Sequence, residues 1–198
     1  MIHNQAKKLA AICVERNWIS KDNNEWCAYA LEKWLGAACF LLALLLWSLV
    51  SGRIVETFSF ALPFYLMRRR IGGCHANKAW ICFLVSIALV IISTLFLNNY
   101  MSRLPVTMIV LLDVSLIALG LIIKPAYPKQ VHFTASEGAA NVVKKNKMLL
   151  FIFLGQLIAL ALGGIQIIVC SSLGIAAAII SVLIQKRQIE KEKKHEQT

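Results

Sequence analysis

The sequence predicts an all-α fold, a polytopic membrane helical bundle of about six transmembrane helices, and three observations predict it. The 198 residues are 59% hydrophobic with a mean hydropathy of +0.68, above the half-apolar composition of soluble domains. The apolar residues are gathered into runs long enough to cross a bilayer. Between those runs lie the basic residues that give a net charge of +11. A basic protein of that charge suggests nucleic acid, but the cations do not collect on one soluble face, so membrane topology explains them and no nucleic-acid partner is expected. No cleavable signal peptide is expected either, because the first thirty residues are polar to amphipathic.

Residues 1–33 read as an N-terminal interfacial amphipathic region. Ile2, Ala6, Leu9, Ile12 and Cys13 recur at helical spacing, with Lys7, Lys8 and Arg16 on other faces. The pattern suits a helix on an anionic lipid surface and equally an amphipathic cap on the bundle. Trp18, Trp26, Tyr29 and Trp34 precede the first apolar run, as interfacial aromatics do. Residues 34–184 form the membrane domain. Its first span covers 35–50 and its second 54–67, short and interrupted by Glu56 and Pro63, which points to tilting, a kink or partial insertion. The third covers 79–97 and the fourth 104–123. Residues 148–184 are almost wholly apolar, nearly twice the ~20 residues one crossing needs. Gly163-Gly164, or Ser171-Ser172 with Gly174, offers a turn between a fifth and a sixth span, and the same small residues would permit a homodimer. Residues 185–198 form a basic tail.

The charges test this count. Six spans put both termini and the 68–78 and 124–147 loops on one side, and these segments hold 19 of the 21 Lys and Arg residues. Only Arg53 and Arg103 fall opposite, so the positive-inside rule gives both termini in the cytoplasm.

Chemistry concentrates at the cytoplasmic entrance to the third span, where Arg68, Arg69, Arg70, Gly72, Gly73, Cys74, His75, Lys78 and Cys82 fall within fifteen residues. A thiolate is the nucleophile of cysteine chemistry and histidine its usual base. His75 and Cys82 are seven apart, about 10 Å along one straight helix, so contact requires the histidine to fold back over the helix entrance. Gly72-Gly73 allows such a turn. A helix N-terminus and the cations Arg68, Arg69, Arg70 and Lys78 would favour the charged sulfur. The plainer reading is a cytoplasmic anchor, with arginines on lipid phosphates and Cys82 a packing residue. The six cysteines lack CxxC spacing, so a disulfide framework, a metal site or a cofactor is not expected.

Asp113 lies near the middle of the fourth span, where an ionisable group is costly and functional or paired. It either orients His75 as a third catalytic member or makes a polar contact with Ser115, Gln156, Gln166 or the Glu56 region. His132 reads as a surface residue. Two other classes of function fit the same chain. Asp113 and Glu56 with the glycine-rich final spans could line a transport path, though no internal repeat supports it, and a non-catalytic scaffold would tolerate Cys82→Ser.

The arrangement Arg68, Gly72-Gly73, His75-Ala76 and Cys82 resembles the accessory gene regulator B family, membrane peptidases of Gram-positive bacteria that process precursors of cyclic peptide signals. The N-terminal stretch from Trp18 to Leu35, the multiple spans and the Lys-containing loop after the fourth span fit as well. The resemblance implies a multi-pass protein of the bacterial cell membrane, with Cys82 as nucleophile, His75 as general base, and Arg68, Gly72 and Gly73 supporting the site. It implies a propeptide substrate, similar to accessory gene regulator D, with an amphipathic leader and an acidic tail. Cleavage would leave the N-terminal part on Cys82 as a thioester, which an internal Cys or Ser closes into a thiolactone or lactone. Arg69, Arg70, Lys78 and Lys129 are the candidate contacts to the tail. Two features depart from the family pattern: Cys74 stands at an often aromatic position, and the 124–147 loop lacks a compact lysine run after its prolines.

Overall fold

A computed structural model describes residues 2–72, 79–126 and 135–195, and among them every regular element is helical. The chain divides into two compact units, residues 1–50 and 51–198.

The first unit contains α1 (Ile2–Glu15), a 3₁₀ turn (Lys21–Asn23) and most of α2 (Asn24–Ser51). Helix α1 ends in a Schellman motif: Trp18 N–H reaches Cys13 O at 2.9 Å and Asn17 N–H reaches Val14 O at 3.0 Å. Asn17 takes the left-handed position with φ 55°, which asparagine tolerates better than most side chains. Helix α2 passes unbroken through residue 34 and presents Leu41, Leu42, Leu45, Leu46, Leu49 and Val50 outward, the last 83% exposed. Such a face is unfavourable against water and natural against lipid.

The second unit is built around α8 (Ile165–His195), which packs most extensively on α3 (Ile54–Ile71) and also on α6 (Val106–Ile122) and α7 (Ala135–Ala161). Between α3 and α6 runs one helical rod, composed of α4 (Ala79–Ile92), a π-helical stretch (Ser93–Leu97) and α5 (Asn98–Met101). Helix α3 shows why the bundle closes here. Thr57, Phe60, Ala61, Phe64, Met67 and Ile71 are buried at i, i+3/i+4, i+7 spacing, so one face is committed to the interior. The Phe60 and Phe64 rings stack at 5.8 Å on that face. Opposite them, a Cβ on Gly174 would overlap the Phe60 carbonyl oxygen, so glycine sets how closely α3 and α8 approach. Gly174 is thereby used within the chain, and Ser171 and Ser172 lie inside α8. The turn between α7 and α8 falls at Gly163-Gly164: Gly163 takes φ 74°, Gly164 N–H reaches Ala159 O at 2.7 Å and Gly163 N–H reaches Leu160 O at 3.0 Å.

Two expectations about elements are revised. Helix α3 continues through Pro63 and past residue 67 to Ile71, because the chain beyond Pro63 still has a full buried face to commit. The third apolar segment extends to Met101 through the π-helical stretch. Three segments meet the length and apolarity of a membrane span among the described residues: Lys21–Ser51, Ile81–Met101 and Ile165–Lys191. Val106–Ile122 is a shorter apolar helix. Leu111 on α6 and Phe151 on α7 are 70% and 76% exposed, so these helices also carry outward apolar surface.

Candidate active site

Arg68 and Cys82 come together where α3 and α4 meet. Arg68 lies on the last turn of α3 and Cys82 on the first turn of α4, both half-buried. Arg68 Nη2 donates to Cys82 Sγ at 2.8 Å, and its other terminal nitrogen donates to Ser86 Oγ at 3.3 Å. Ser86, one turn further along α4, gives its own hydrogen to the Cys82 carbonyl oxygen at 2.9 Å. The guanidinium also stands over the Phe64 ring, 5.7 Å from its centroid. A cation donating directly to a cysteine sulfur suits nucleophilic chemistry, since the charged sulfur is the reactive form.

The backbone around this pair is turned by Gly72, which takes φ 76° at the end of α3. Its neighbour Ile71 accepts a hydrogen bond from Ala126 N–H at 2.9 Å, and Gly72 and Ala126 form a parallel bridge. The segment after α6 is thus stitched to the end of α3. Arg70 adds a second stitch: its Nη1 donates to Asn141 Oδ1 at 3.3 Å, while Asn141 Nδ2 donates to the Arg70 carbonyl at 2.7 Å. Arg69 is exposed beside them. Gly73, Cys74, His75, Lys78, Lys129 and His132 lie outside the described residues.

Among the described lysines of the 124–147 segment, Lys145 is buried at 1% exposure. Its Nζ donates to the carbonyls of Gly120, Leu121 and Ile123 at 2.8, 2.9 and 2.9 Å. It therefore caps the C-terminus of α6, where a cation also meets the negative end of the helix dipole. Nothing in the linear sequence distinguishes it from Lys144 or Lys147; only the packing of α7 on α6 selects it.

Asp113 belongs to a different cluster. It is 3% exposed, and its Oδ1 accepts from Gln156 Nε2 at 2.8 Å and from Ser172 Oγ at 2.5 Å. Gln156 Nε2 also donates to Ser171 Oγ at 3.0 Å. Three helices, α6, α7 and α8, meet through these four side chains. Ser115 instead bonds the Leu112 carbonyl within its own helix. At the far end of α3, Arg53 Nη1 donates to the Thr94 carbonyl in the π-helical stretch at 2.8 Å and to Asn99 Oδ1 at 3.1 Å.

Among the described residues no group of three or more His, Cys, Asp or Glu side chains is placed to hold a metal ion. An apolar cavity of about 130 Å³ lies between α5, α6 and α8, and an open groove lies where Val55 and Glu56 face Gly163 and Gln166. Neither includes Arg68 or Cys82. Of the site residues the sequence singled out, Arg68 and Cys82 are joined directly, Gly72 and Arg70 frame them, and Asp113 has its described partners elsewhere. Ser86 escaped the sequence reading because a serine inside an apolar span is an ordinary occurrence, often bonded to the carbonyl four residues back.

The family model described as Accessory gene regulator B matches residues 6–188. The chain is 27% identical over 132 residues to Protein FsrB of Enterococcus faecalis (strain ATCC 47077 / OG1RF), a match covering 63% of this chain and 51% of that protein. The chain thus spans about half the length of the curated relative it matches. No solved structure matches. A family match over nearly the whole chain, on a helical protein with membrane-length apolar segments, leads to one assignment: this chain belongs to the accessory gene regulator B family.

Proposed function

We propose that this chain is an integral-membrane cysteine endopeptidase that cleaves the C-terminal part of a quorum-sensing propeptide and cyclises the retained part. The observation that supports the reading is the Arg68–Cys82 contact, in which a cation donates to the sulfur of the residue that the sequence resemblance implies as nucleophile. In this reading six helices cross the membrane, both termini face the cytoplasm, and the site opens on the cytoplasmic side, where the basic segments gather.

The chemistry has two halves. His75 takes the proton of Cys82, and the sulfur attacks the scissile carbonyl. The carbon–nitrogen bond breaks, the proton passes from His75 to the leaving amine, and the tail departs. The retained peptide is then a thioester on Cys82. An internal cysteine or serine of the peptide loses its proton to His75 and attacks the thioester carbonyl. The ring closes as the carbon–sulfur bond to Cys82 breaks, and His75 returns the proton to the Cys82 sulfur. Water must stay out between the halves, and a site at the mouth of a lipid-embedded helix serves that need. The hydrogen bond that holds Ala126, just after α6, on Ile71 brings Lys124 and Arg69 to the same end of the bundle. Cations there suit an acidic tail, while an amphipathic leader would hold the propeptide at the lipid surface.

Co-expression of a propeptide with wild type, Cys82→Ala and His75→Ala proteins tests this reading by mass spectrometry of the cleaved tail. Both variants are expected to leave the propeptide intact, and tail release by Cys82→Ala would refute the reading.

A further inference from the structure

We propose that Ser86 is a positioning residue: its hydroxyl fixes the Arg68 guanidinium so that Nη2 is presented to the Cys82 sulfur. The inference deepens the peptidase reading and rests on it for its biological meaning.

The hydrogen count at Ser86 gives the direction of the interaction. A serine hydroxyl has one hydrogen, and here it goes to the Cys82 carbonyl at 2.9 Å. The oxygen is left as an acceptor, and Arg68 Nη1 donates to it at 3.3 Å. Ser86 is 7% exposed, so water competes little for either bond. The guanidinium is a rigid fork, and holding one prong fixes the other. With Nη1 on Ser86 and the plane over Phe64, Nη2 falls on the sulfur at 2.8 Å.

The surrounding packing makes this clamp matter. Helices α3 and α8 interlock closely through Gly174, whereas α3 and α4 touch sparingly. The register of Arg68 on Cys82 is therefore carried by side chains, and Ser86 is one full turn from the sulfur on the same helix face. A lysine at position 68 could satisfy one of the two atoms but lacks the fork that spans both.

The test measures the rate at which iodoacetamide alkylates Cys82 in the purified full-length protein, read by mass spectrometry of the Cys82 peptide. Ser86→Ala is expected to slow alkylation at neutral pH about fivefold, the scale of one lost hydrogen bond. Ser86→Thr keeps the hydroxyl and should stay within about twofold of wild type. The double variant S86A/R68K should be no slower than R68K, because Ser86 acts through the guanidinium fork. Equal slowing by S86A in both backgrounds, or wild-type alkylation of S86A, would overturn the proposal. Cys170 is fully buried and serves as the folding control through its lack of labelling. If S86A exposes it, the isosteric pair S86T and S86V decides, with slowing in S86V alone expected and equal rates contradicting the clamp. Alkylation needs no propeptide, so the two readings fail separately. Tail cleavage by Cys82→Ala removes the peptidase and leaves the clamp, whereas wild-type alkylation of S86A removes the clamp and leaves the peptidase.

Discussion

Two of the polar clusters among the described residues of 51–198 are built in opposite ways. Arg68, Cys82 and Ser86 sit where α3 and α4 touch sparingly, with arginine and cysteine half-buried. Asp113, Gln156, Ser171 and Ser172 sit where three helices meet, all buried, with side-chain hydrogen bonds that join them to one another. The first cluster points a charge at a nucleophilic atom. The second spends its polarity on joining helices, since an acid left alone in lipid is costly. An ionisable residue within a membrane therefore does not mark the reactive site by itself; what matters is whether its neighbours leave a reactive atom accessible.

Substitutions in each cluster separate the two roles. The largest effect is expected from Cys82→Ala, which should abolish propeptide cleavage while thermal unfolding of the detergent-purified protein stays unchanged. Arg68→Lys should reduce cleavage about a hundredfold, comparable to removal of a fixed charge-stabilising donor, again with little loss of stability. Asp113→Leu should show the reverse pattern. It removes the acceptor that joins α6 to Gln156 and Ser172, which keep only Ser171 Oγ and the Ile168 carbonyl, and should cost about 1–3 kcal/mol in unfolding, with near-normal cleavage by the protein that remains folded. Gly174→Ala belongs with Asp113 and should cost about 1–3 kcal/mol, because its methyl meets the Phe60 backbone. The smallest effect is the salt response: cleavage of an acidic-tailed propeptide should weaken a few-fold as ionic strength rises, since exposed Arg69 and Lys124 act through a screened field. Loss of cleavage in Asp113→Leu without loss of stability would erase the distinction between the clusters.

How much of this was legible in the sequence depended on range. The helices were readable because apolar runs and breakers are local signals: Gly163-Gly164 ends α7 with a left-handed glycine. Arg68 and Cys82 were readable as a motif but not as a contact, because they stand fourteen positions apart on different helices. Cross-helix geometry was hidden. The Ser86 acceptor, the Lys145 cap on α6 and the Arg70–Asn141 exchange each pair residues whose types are commonplace where they stand. The buried stripe of α3 was masked for a related reason. In a helix with apolar residues on every side, hydrophobicity no longer tells the interior from the lipid face, and Gly174 against Phe60 is what reveals it.

The most direct measurement is intact-mass analysis of the wild-type protein after incubation with its propeptide, with Cys82→Ala alongside. A wild-type mass increased by the retained peptide, mapped to Cys82 and absent from the variant, is the expected result. Released tail without any adduct dependent on Cys82, or equal cleavage by the variant, would contradict a cysteine acyl-enzyme.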